Sequence, residues 1–250
     1  MRISGPDDGD APPPAPDRQE RTDHAAQAPG CPPAGDPAGA AIRVERVLEH
    51  RAAVDAAYRA HAIDQSCARV ERIERETVTP AMRRIEAADP DRHLAGLEYR
   101  LKERYRIEEK VEFDVRKWGV TPDQAFSNVK DAIRYTFQYP EERYAEGVLG
   151  DIERLKSEGF QLTECRNSWA GVEYKGINSR WRVPESGQLF EVQFHTPASF
   201  TAKQQTHGAY ERLRTLPEDH EDVLKLQAFQ REVTTTIAIP REARDIPNYP

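Results

Sequence analysis

Residues 189–196 read LFEVQFHT and predict a β-strand at the centre of the fold. Apolar and polar side chains alternate along this stretch, and a period of two is typical of a strand whose two faces differ. One face carries Phe190, Val192 and Phe194, and the other carries Glu191, Gln193 and His195. Because a strand that simply faces solvent more often carries Thr, Lys or Ser, the polar trio predicts the lining of a cleft above a hydrophobic layer.

Helices and further strands flank this central strand in the sequence. Amphipathic spacing and end signals predict helices over about 41–58, 64–77 (with a break at Pro80), 94–118, 140–158, 198–214 and 218–235, with another helix starting at Thr121–Pro122. Alternation predicts strands over 134–139, 160–166 and 179–184. The pattern therefore indicates an α/β (α+β) fold, in which a mixed, mostly antiparallel sheet is flanked by helices behind an N-terminal helical segment.

Composition divides the chain into regions. Residues 1–40 are almost entirely Pro, Ala, Gly, Asp and other polar types, and they hold seven acids against three arginines, so most of the formal charge of −7 lies there. Such a segment buries too little apolar surface to offset its ordering entropy, which predicts a disordered arm. We expect a helical N-terminal region packed on the core over 41–95, a functional domain over 96–236 and a tail over 237–250.

Several classes of protein are excluded by what the sequence lacks. No apolar run approaches the ~20 residues needed to cross a membrane, and the N-terminus has no apolar signal-peptide core, so no membrane partner is expected. Cys31, Cys67 and Cys165 are odd in number and widely spaced, which argues against a disulfide framework or a structural zinc. A cytoplasmic protein fits these features, as does one delivered to a target cell's cytoplasm by a dedicated secretion system.

Basic residues recur before the first strand. Arg100 and Lys102 are followed by Lys110, and on a continuous helix Lys102, Arg106 and Lys110 would form one basic stripe. The alternative is a solvated helix face on which these cations pair with neighbouring glutamates. Taken alone, this stripe does not distinguish phosphate binding from an ordinary charged surface.

Asp131 and Arg134 stand at the start of the predicted strand 134–139. A carboxylate there can hold a metal ion, and an arginine can meet phosphate or stack on a base. The alternative is a simple ion pair at an element boundary.

A polar segment rich in small residues, aromatics and cations precedes the central strand. It runs from Arg166 through Trp169 and Tyr174 to Lys175 and Asn178. This composition suits a nucleotide site, because the backbone can approach phosphates closely, although an ordinary surface loop fits each residue singly. Beyond the central strand a polar stripe lies on one face of the predicted helix 198–214, formed by Ser199, Lys203, His207 and Tyr210.

In their order along the chain, these clusters resemble the synthetase domain of the RelA/SpoT family over about residues 96–215. That family carries an R-x-K pair with a second lysine eight residues on, an aspartate and an arginine at a strand, a basic residue before a loop glycine, an E-x-Q strand, and a helix with H-x-x-Y. The matching positions are Arg100, Lys102, Lys110, Asp131, Arg134, Arg166, Gly176, Glu191, Gln193, His207 and Tyr210.

The resemblance implies a nucleotidyltransferase-like sheet and a pyrophosphokinase that moves the β,γ-pyrophosphate of ATP to the 3'-hydroxyl of a purine nucleotide, making (p)ppApp- or (p)ppGpp-type alarmones. It implies Mg²⁺ held by Asp131 and Glu191, with Glu191 also acting as general base. ATP phosphates would be bound by Arg100, Lys102 and Lys110, with Arg134 on the donor phosphates or adenine. Acceptor-side residues would be Arg166, Tyr174, Lys175, Asn178, Gln193, His195 and His207.

The sequence departs from the family pattern at four places. The aspartate–arginine spacing is shortened to Asp131-x-x-Arg134, Arg166 replaces a lysine, Ile177 replaces a tyrosine that stacks on the acceptor base, and His195 replaces an arginine. These forms resemble a divergent branch found in bacterial toxins and effectors. Without the tyrosine, adenine nucleotides are expected as acceptors at least as much as guanine nucleotides, unless Tyr174 or Trp169 takes its place.

Two other functions remain open from the sequence. The same chemistry could pyrophosphorylate the 3' end of tRNA, which predicts an exposed basic surface beside the cleft. A non-catalytic nucleotide-binding module is the other, although both carboxylates and the Arg/Lys/Lys set argue against it. A toxin of this type would also have an antitoxin or immunity protein as partner.

Overall fold

The computed structural model describes the backbone of residues 37–249 and the side chains of residues 41–249. The predicted arm thus lies outside the described residues, except that residues 37–40 already form the start of a helix. Contacts divide the chain into two units, Met1–His50 and Arg51–Pro250. The predicted boundaries at 95/96 and 236/237 stay predictions.

The N-terminal helices are more continuous than the sequence indicated. Helix α1 spans Pro37–Ile73, a π-helical turn spans Glu74–Val78, and α2 spans Thr79–Ala87. The predicted break at Pro80 is wrong, because Pro80 occupies the first turn of α2, where a backbone N–H is not needed for the helix. The π-helical turn carries the chain from α1 directly into α2.

The predicted helix over 94–118 is also wrong in its first part. Strand β1 covers His93–Ala95, and α3 begins only at Arg104 and ends at Trp118. Gly96 adopts a left-handed φ of 62°, a conformation that glycine accepts readily and that interrupts a helix. Lys102 therefore precedes α3, and the predicted single stripe through Lys102, Arg106 and Lys110 does not form.

Within the described residues, five strands form a mixed sheet in the order β1-β2-β5-β4-β3. The later strands are β2 Arg134–Gln138, β3 Gln161–Asn167, β4 Ile177–Arg182 and β5 Leu189–His195. Strands β2 and β5 run parallel, whereas β1–β2, β5–β4 and β4–β3 are antiparallel. The predicted mixed, mostly antiparallel sheet with its central strand at 189–196 is confirmed.

The remaining helices are α4 Pro122–Ser127, α5 Tyr144–Ser157, α6 Pro197–Leu213 and α7 Asp222–Thr235. Helix α6 begins directly after β5 because Thr196 forms a capping box, its side chain accepting a hydrogen bond from the Ser199 N–H. This cap places the polar stripe of α6 beside the end of β5. The tail is tied to β3 through backbone hydrogen bonds between Cys165 and Tyr249.

The two faces of the sheet differ as the central strand predicted. Residues of β2, β4 and β5 that point to one face are buried, namely Tyr135, Phe137, Ile177, Trp181, Phe190, Val192 and Phe194. Helix α5 packs on this face, where the Tyr144 hydroxyl donates to the Phe194 carbonyl. Burial of this apolar surface is the main contribution to stability, so the opposite face is free to carry charge.

Candidate active site

Polar residues of neighbouring strands stand side by side on the other face of the sheet. Across β2, β5 and β4, Arg134, Glu191 and Arg180 are paired in register. One step along, the row consists of Thr136, Gln193, Asn178 and Arg166. Side chains of one row leave the same face, so this face forms a continuous charged and polar floor.

A single guanidinium joins the two predicted carboxylates. Arg134 Nη2 lies 2.6 Å from Asp131 Oδ2, and Arg134 Nε lies 2.5 Å from Glu191 Oε2. Lys102 Nζ completes the network at 2.7 Å from Asp131 Oδ2. We call these four residues the charged network. Four residues spread over about ninety positions of sequence thus meet at the start of the parallel strand pair.

Lys102 reaches this position through an extended segment rather than a helix. Its backbone N–H donates to the Ala132 carbonyl at 3.0 Å, and the Arg134 N–H donates to the Arg100 carbonyl at 2.8 Å. The segment before α3 thereby lies against the start of β2. The Lys102 ammonium comes beside Asp131 as a result.

Arg100 and Lys110 lie elsewhere. Arg100 Nε donates to Glu74 Oε1 at 2.8 Å, in a separate cleft of about 350 Å³ formed by the π-helical turn, α2 and Leu97. Lys110 Nζ has Asp114 at 3.8 Å as its carboxylate partner. Within residues 41–249, no ion pair or hydrogen bond connects the side chain of either residue to the charged network.

The charged network favours ionised side chains. Burial raises the pKa of Asp131, but the hydrogen bond and charge of Lys102 and the charge of Arg134 outweigh it, leaving the pKa below its usual value. Burial lowers the pKa of Arg134, and the carboxylates of Glu191 and Asp131 raise it by more. Asp131 is therefore a carboxylate and Arg134 a cation at neutral pH.

Lys203 enters the floor from α6. Its Nζ donates to Gln193 Oε1, which also accepts from the Thr136 hydroxyl at 3.4 Å. Lys203 and Arg180, which pairs with Glu164, were not among the predicted site residues. The sequence nevertheless contained an indication of each residue. Lys203 lies on the predicted polar stripe, and Arg180 alternates with buried Ser179 and Trp181.

His195 is fully buried behind a tyrosine. Its Nε2 lies 2.8 Å from the Tyr174 hydroxyl, which donates to Asn178 Oδ1 at 2.8 Å, and its Nδ1 lies 2.9 Å from Ser199 Oγ. Gly176 must be glycine here, because a Cβ would lie 2.7 Å from the His195 ring. Burial, with the charge of Lys203, holds the pKa of His195 well below its usual value, so the ring is neutral. His195 thus supports Tyr174 rather than facing the cleft.

In the loop before β4, the side chains of Lys175 and Trp169 lie away from the polar floor. Lys175 Nζ donates to the carbonyls of Trp169 at 3.1 Å and Gly171 at 2.6 Å, so its amine holds the loop together. Trp169 is buried against Tyr144, with ring centroids 5.1 Å apart, on the apolar side of the sheet. Ile177 is also buried there, which leaves Tyr174 as the aromatic ring of this loop beside the polar floor.

Two further predicted residues are exposed at the edges of the floor. Arg166 lies on β3 opposite Asn178, and His207 lies on α6 one turn after Lys203. Burial lowers the pKa of His207, Glu211 opposes this, and the cations Arg106, Lys203 and Arg134 add to it. His207 therefore belongs to the same electrostatic environment as the charged network.

The structure offers two carboxylates for a metal. Among residues 41–249 there is no group of three or more His, Cys, Asp or Glu side chains arranged to hold an ion. Asp131 and Glu191 contact one guanidinium and so face the same space. Mg²⁺ is commonly bound by one or two carboxylates together with substrate phosphates, and this pair fits that pattern.

Comparison with solved structures finds similar folds, with small alarmone synthetases among them. Small alarmone synthetase 1 from Bacillus subtilis, bound to its product pppGpp, is 18% identical with a TM-score of 0.46, over 70% of this chain and 91% of that one. A protein from Streptococcus mutans is 16% identical with a TM-score of 0.43, over 74% and 92%. A GTP pyrophosphokinase family protein from Streptococcus pneumoniae is 14% identical with a TM-score of 0.41, over 70% and 86%.

These neighbours agree with the predicted resemblance to the RelA/SpoT synthetases in fold only, and with TM-scores below 0.5 they carry no further argument. No family model matches the sequence, and no curated protein does. At these identities and TM-scores the likeness is confined to the fold, so function has to be inferred from this chain's own residues. No helix among the described residues is long and apolar enough to cross a membrane.

Proposed function

We propose that this protein is an ATP-dependent pyrophosphokinase that transfers the β,γ-pyrophosphate of ATP to the 3'-hydroxyl of a purine nucleotide. The observation that carries the proposal is the charged network, in which Lys102, Asp131, Arg134 and Glu191 meet on the polar floor. Phosphoryl-type transfer depends chiefly on positioning and on neutralising charge, and this network supplies cations for phosphate and carboxylates for a metal or a proton.

In the proposed reaction, the 3'-oxygen of the acceptor attacks the β-phosphorus of ATP. The bond from that phosphorus to the oxygen bridging the α- and β-phosphates breaks, and AMP leaves with that oxygen. Lys102 and Arg134 neutralise the phosphates, and Glu191 takes the proton of the 3'-hydroxyl. Asp131 and Glu191 would hold Mg²⁺, whose charge would stabilise the phosphate oxygens. The predicted contacts of Arg100 and Lys110 with the ATP phosphates stay predictions, since both side chains lie outside the charged network.

One incubation series tests the proposal. Purified protein is incubated with ATP and Mg²⁺, with and without ADP, GDP, GTP or deacylated tRNA, and AMP and the pyrophosphorylated product are identified. We expect AMP release matched by a 3'-pyrophosphorylated purine nucleotide. Product only on tRNA would assign the acceptor to RNA, and nucleotide binding without AMP release would make the protein a binding module.

The donor side gives a matched pair of variants. We expect Lys102→Met to lower kcat/KM for ATP by roughly 10- to 100-fold, because a hydrogen bond to a charged group contributes about 1.5–3 kcal/mol. Lys110→Met should lower it only about two- to threefold, since Lys110 acts from outside the charged network. Initial rates of AMP release measure both, and thermal unfolding shows whether each variant is folded. Equal rates for wild type and Lys102→Met would make Lys102 ordinary surface charge.

The acceptor side is proposed to favour adenine nucleotides at least as much as guanine nucleotides, so that ATP alone serves as donor and acceptor. Ile177 and Trp169 are buried on the other side of the sheet, so Tyr174 is the ring available for stacking. We expect Tyr174→Leu to raise the acceptor KM about 10-fold, because stacking on an aromatic contributes ~1–3 kcal/mol per base. Tyr174→Phe should stay within about threefold. Steady-state kinetics with ADP and GDP measure this, and unchanged KM in Tyr174→Leu would exclude the ring as a platform.

We further propose that the activity inhibits growth, since unchecked transfer consumes ATP. Expression of the wild-type chain should arrest growth, and expression of an inactive variant should not. An antitoxin or immunity protein, predicted from the resemblance, would be the partner that prevents this arrest.

A further inference from the structure

Lys203 is a cation of the polar floor whose hydrogen-bond partner is neutral. Its ammonium donates to the amide oxygen of Gln193 and lies 5.3 Å from the centre of the Phe200 ring. Within residues 41–249, no carboxylate lies within ion-pair distance of it, unlike Lys102, which is bonded to Asp131. A partly buried ammonium without a counter-ion is unfavourable unless an anion completes the site.

The charges around Lys203 also favour an anion. Arg134 on β2 is a second cation facing Lys203, and Glu191 on β5 is the facing carboxylate. With Lys102 and Asp131 included, three cations stand against two carboxylates. Burial lowers the pKa of Lys203 to about 8, Arg134 acts in the same direction, and Glu191 opposes them. Burial first, and the facing cation Arg134 second, therefore weaken the affinity of Lys203 for its proton.

The position of Lys203 complements that of Lys102. Lys102 approaches from the segment before α3, at the start of β2, and Lys203 approaches from α6, over β5. Glu191 lies in the same cross-strand row as Arg134 and one row from Gln193. An anion held by both lysines would therefore lie over Glu191, where the proposed reaction has its acceptor hydroxyl.

Resting on the function proposed above, we propose that Lys203 is a phosphate-binding residue of the transfer site, which binds the pyrophosphoryl group as it moves from ATP to the acceptor. The competing role is structural, in which Lys203 serves only to fix the Gln193 amide. The two roles predict different effects of substitution. Arginine keeps the positive charge and should restore phosphate binding, whereas methionine keeps only the length and the apolar stem of the lysine side chain.

The first experiment compares Lys203→Met, Lys203→Arg and a control, Lys225→Met, whose lysine is exposed on α7. We expect Lys203→Met to lower kcat/KM for AMP release roughly 10- to 100-fold, as expected for a lost charge-assisted hydrogen bond. Lys203→Arg should recover most of the loss, and the control should match wild type. Equal loss in Lys203→Met and Lys203→Arg, or no loss in either, would overturn the proposal.

The pH profile separates binding from structure. Wild-type kcat/KM should fall as the pH rises through about 8, where Lys203 loses its proton. Other groups facing Lys203 are Arg134 on β2, Glu191 and His195 on β5, and His207 on α6. Both histidines have lowered pKa values and Arg134 has a raised pKa, so neither the histidines nor Arg134 titrate in that range. In Lys203→Arg this fall should move to higher pH, and an unmoved profile would overturn the proposal.

Binding of inorganic pyrophosphate gives a readout that does not depend on turnover. Titration calorimetry at pH 7 should show binding to wild type and to Lys203→Arg, and at least 10-fold weaker binding to Lys203→Met. If wild type releases no AMP but this difference is present, the proposed reaction fails and the phosphate site stands. If AMP is released and the three proteins bind pyrophosphate equally, the phosphate site fails and the reaction stands.

Discussion

Replacing Glu191 by glutamine should lower the rate of AMP release by about 10²- to 10⁴-fold, the range that general-base catalysis contributes. Glutamine keeps the length of the side chain and an oxygen that can accept from Arg134, so the charged network loses charge but little packing. It cannot take the proton of the 3'-hydroxyl, and it is a weak ligand for Mg²⁺. The melting temperature should therefore change little while the single-turnover rate falls.

Glu164→Gln is the matched control for this variant. Glu164 lies on β3 in the same cross-strand row as Glu191 and forms an ion pair with Arg180, with 38% of its side chain exposed. Its replacement should leave AMP release within about twofold, since a surface ion pair contributes ~0–1 kcal/mol. If Glu191→Gln were as active as Glu164→Gln, the proton would have to go elsewhere, and the proposed role of Glu191 would be wrong.

The central strand shows how much of the site the sequence could predict. Alternation over 189–195 places Glu191 and Gln193 on the polar floor and the three apolar residues in the core, as observed. The same alternation predicts that the His195 side chain leaves the sheet on the side of the polar floor, and this direction of the side chain is correct. Its burial was not predictable, because Tyr174 and Ser199 cover it and their positions depend on the loop before β4 and on the cap of α6.

The segment before α3 shows where the prediction was wrong. Leu97 and Leu101 are spaced as on a helix, and this spacing favoured a helix over 94–118. The backbone of Leu101 instead forms an isolated bridge with Ile133, a contact between residues far apart in the sequence. Local periodicity cannot show such a contact, and the position of Lys102 beside Asp131 depends on it.

Lys175 and Lys203 show that the surroundings of a single side chain also depend on contacts that the local sequence cannot reveal. The sequence placed Lys175 among the acceptor-side residues, and its role there stays a prediction, but its amine is bonded to two carbonyls of its own loop. Lys203 was seen only as part of a polar stripe. Which lysine reaches the polar floor depends on the conformation of the loop before β4 and on the packing of α6 over β5, and residue type and spacing reveal neither.

Because Arg134 bonds both carboxylates of the charged network, we expect it to be the residue of the network that least tolerates a conservative substitution. One guanidinium bonds Asp131 and Glu191 through two different nitrogens, 2.6 and 2.5 Å away. A lysine at this position would keep the charge, but its single ammonium cannot reproduce the planar fork of arginine, so one carboxylate would lose its partner and shift. Arg134 is thus the side chain that both proposed metal ligands share, with Lys102 as a second partner of Asp131 only.

We therefore expect Arg134→Lys to lower kcat/KM for AMP release by roughly 10²- to 10³-fold, combining a lost charge-assisted hydrogen bond with misplaced catalytic groups. Arg180→Lys is the control, because Arg180 lies on the same floor and pairs with one carboxylate, which a lysine can also satisfy. It should remain within about threefold of wild type. Initial rates at saturating acceptor, with thermal unfolding of each variant, measure the difference. Equal activity of Arg134→Lys and Arg180→Lys would reduce the charged network to an ion pair at the start of a strand, and the proposed transfer site would have to lie elsewhere in the fold.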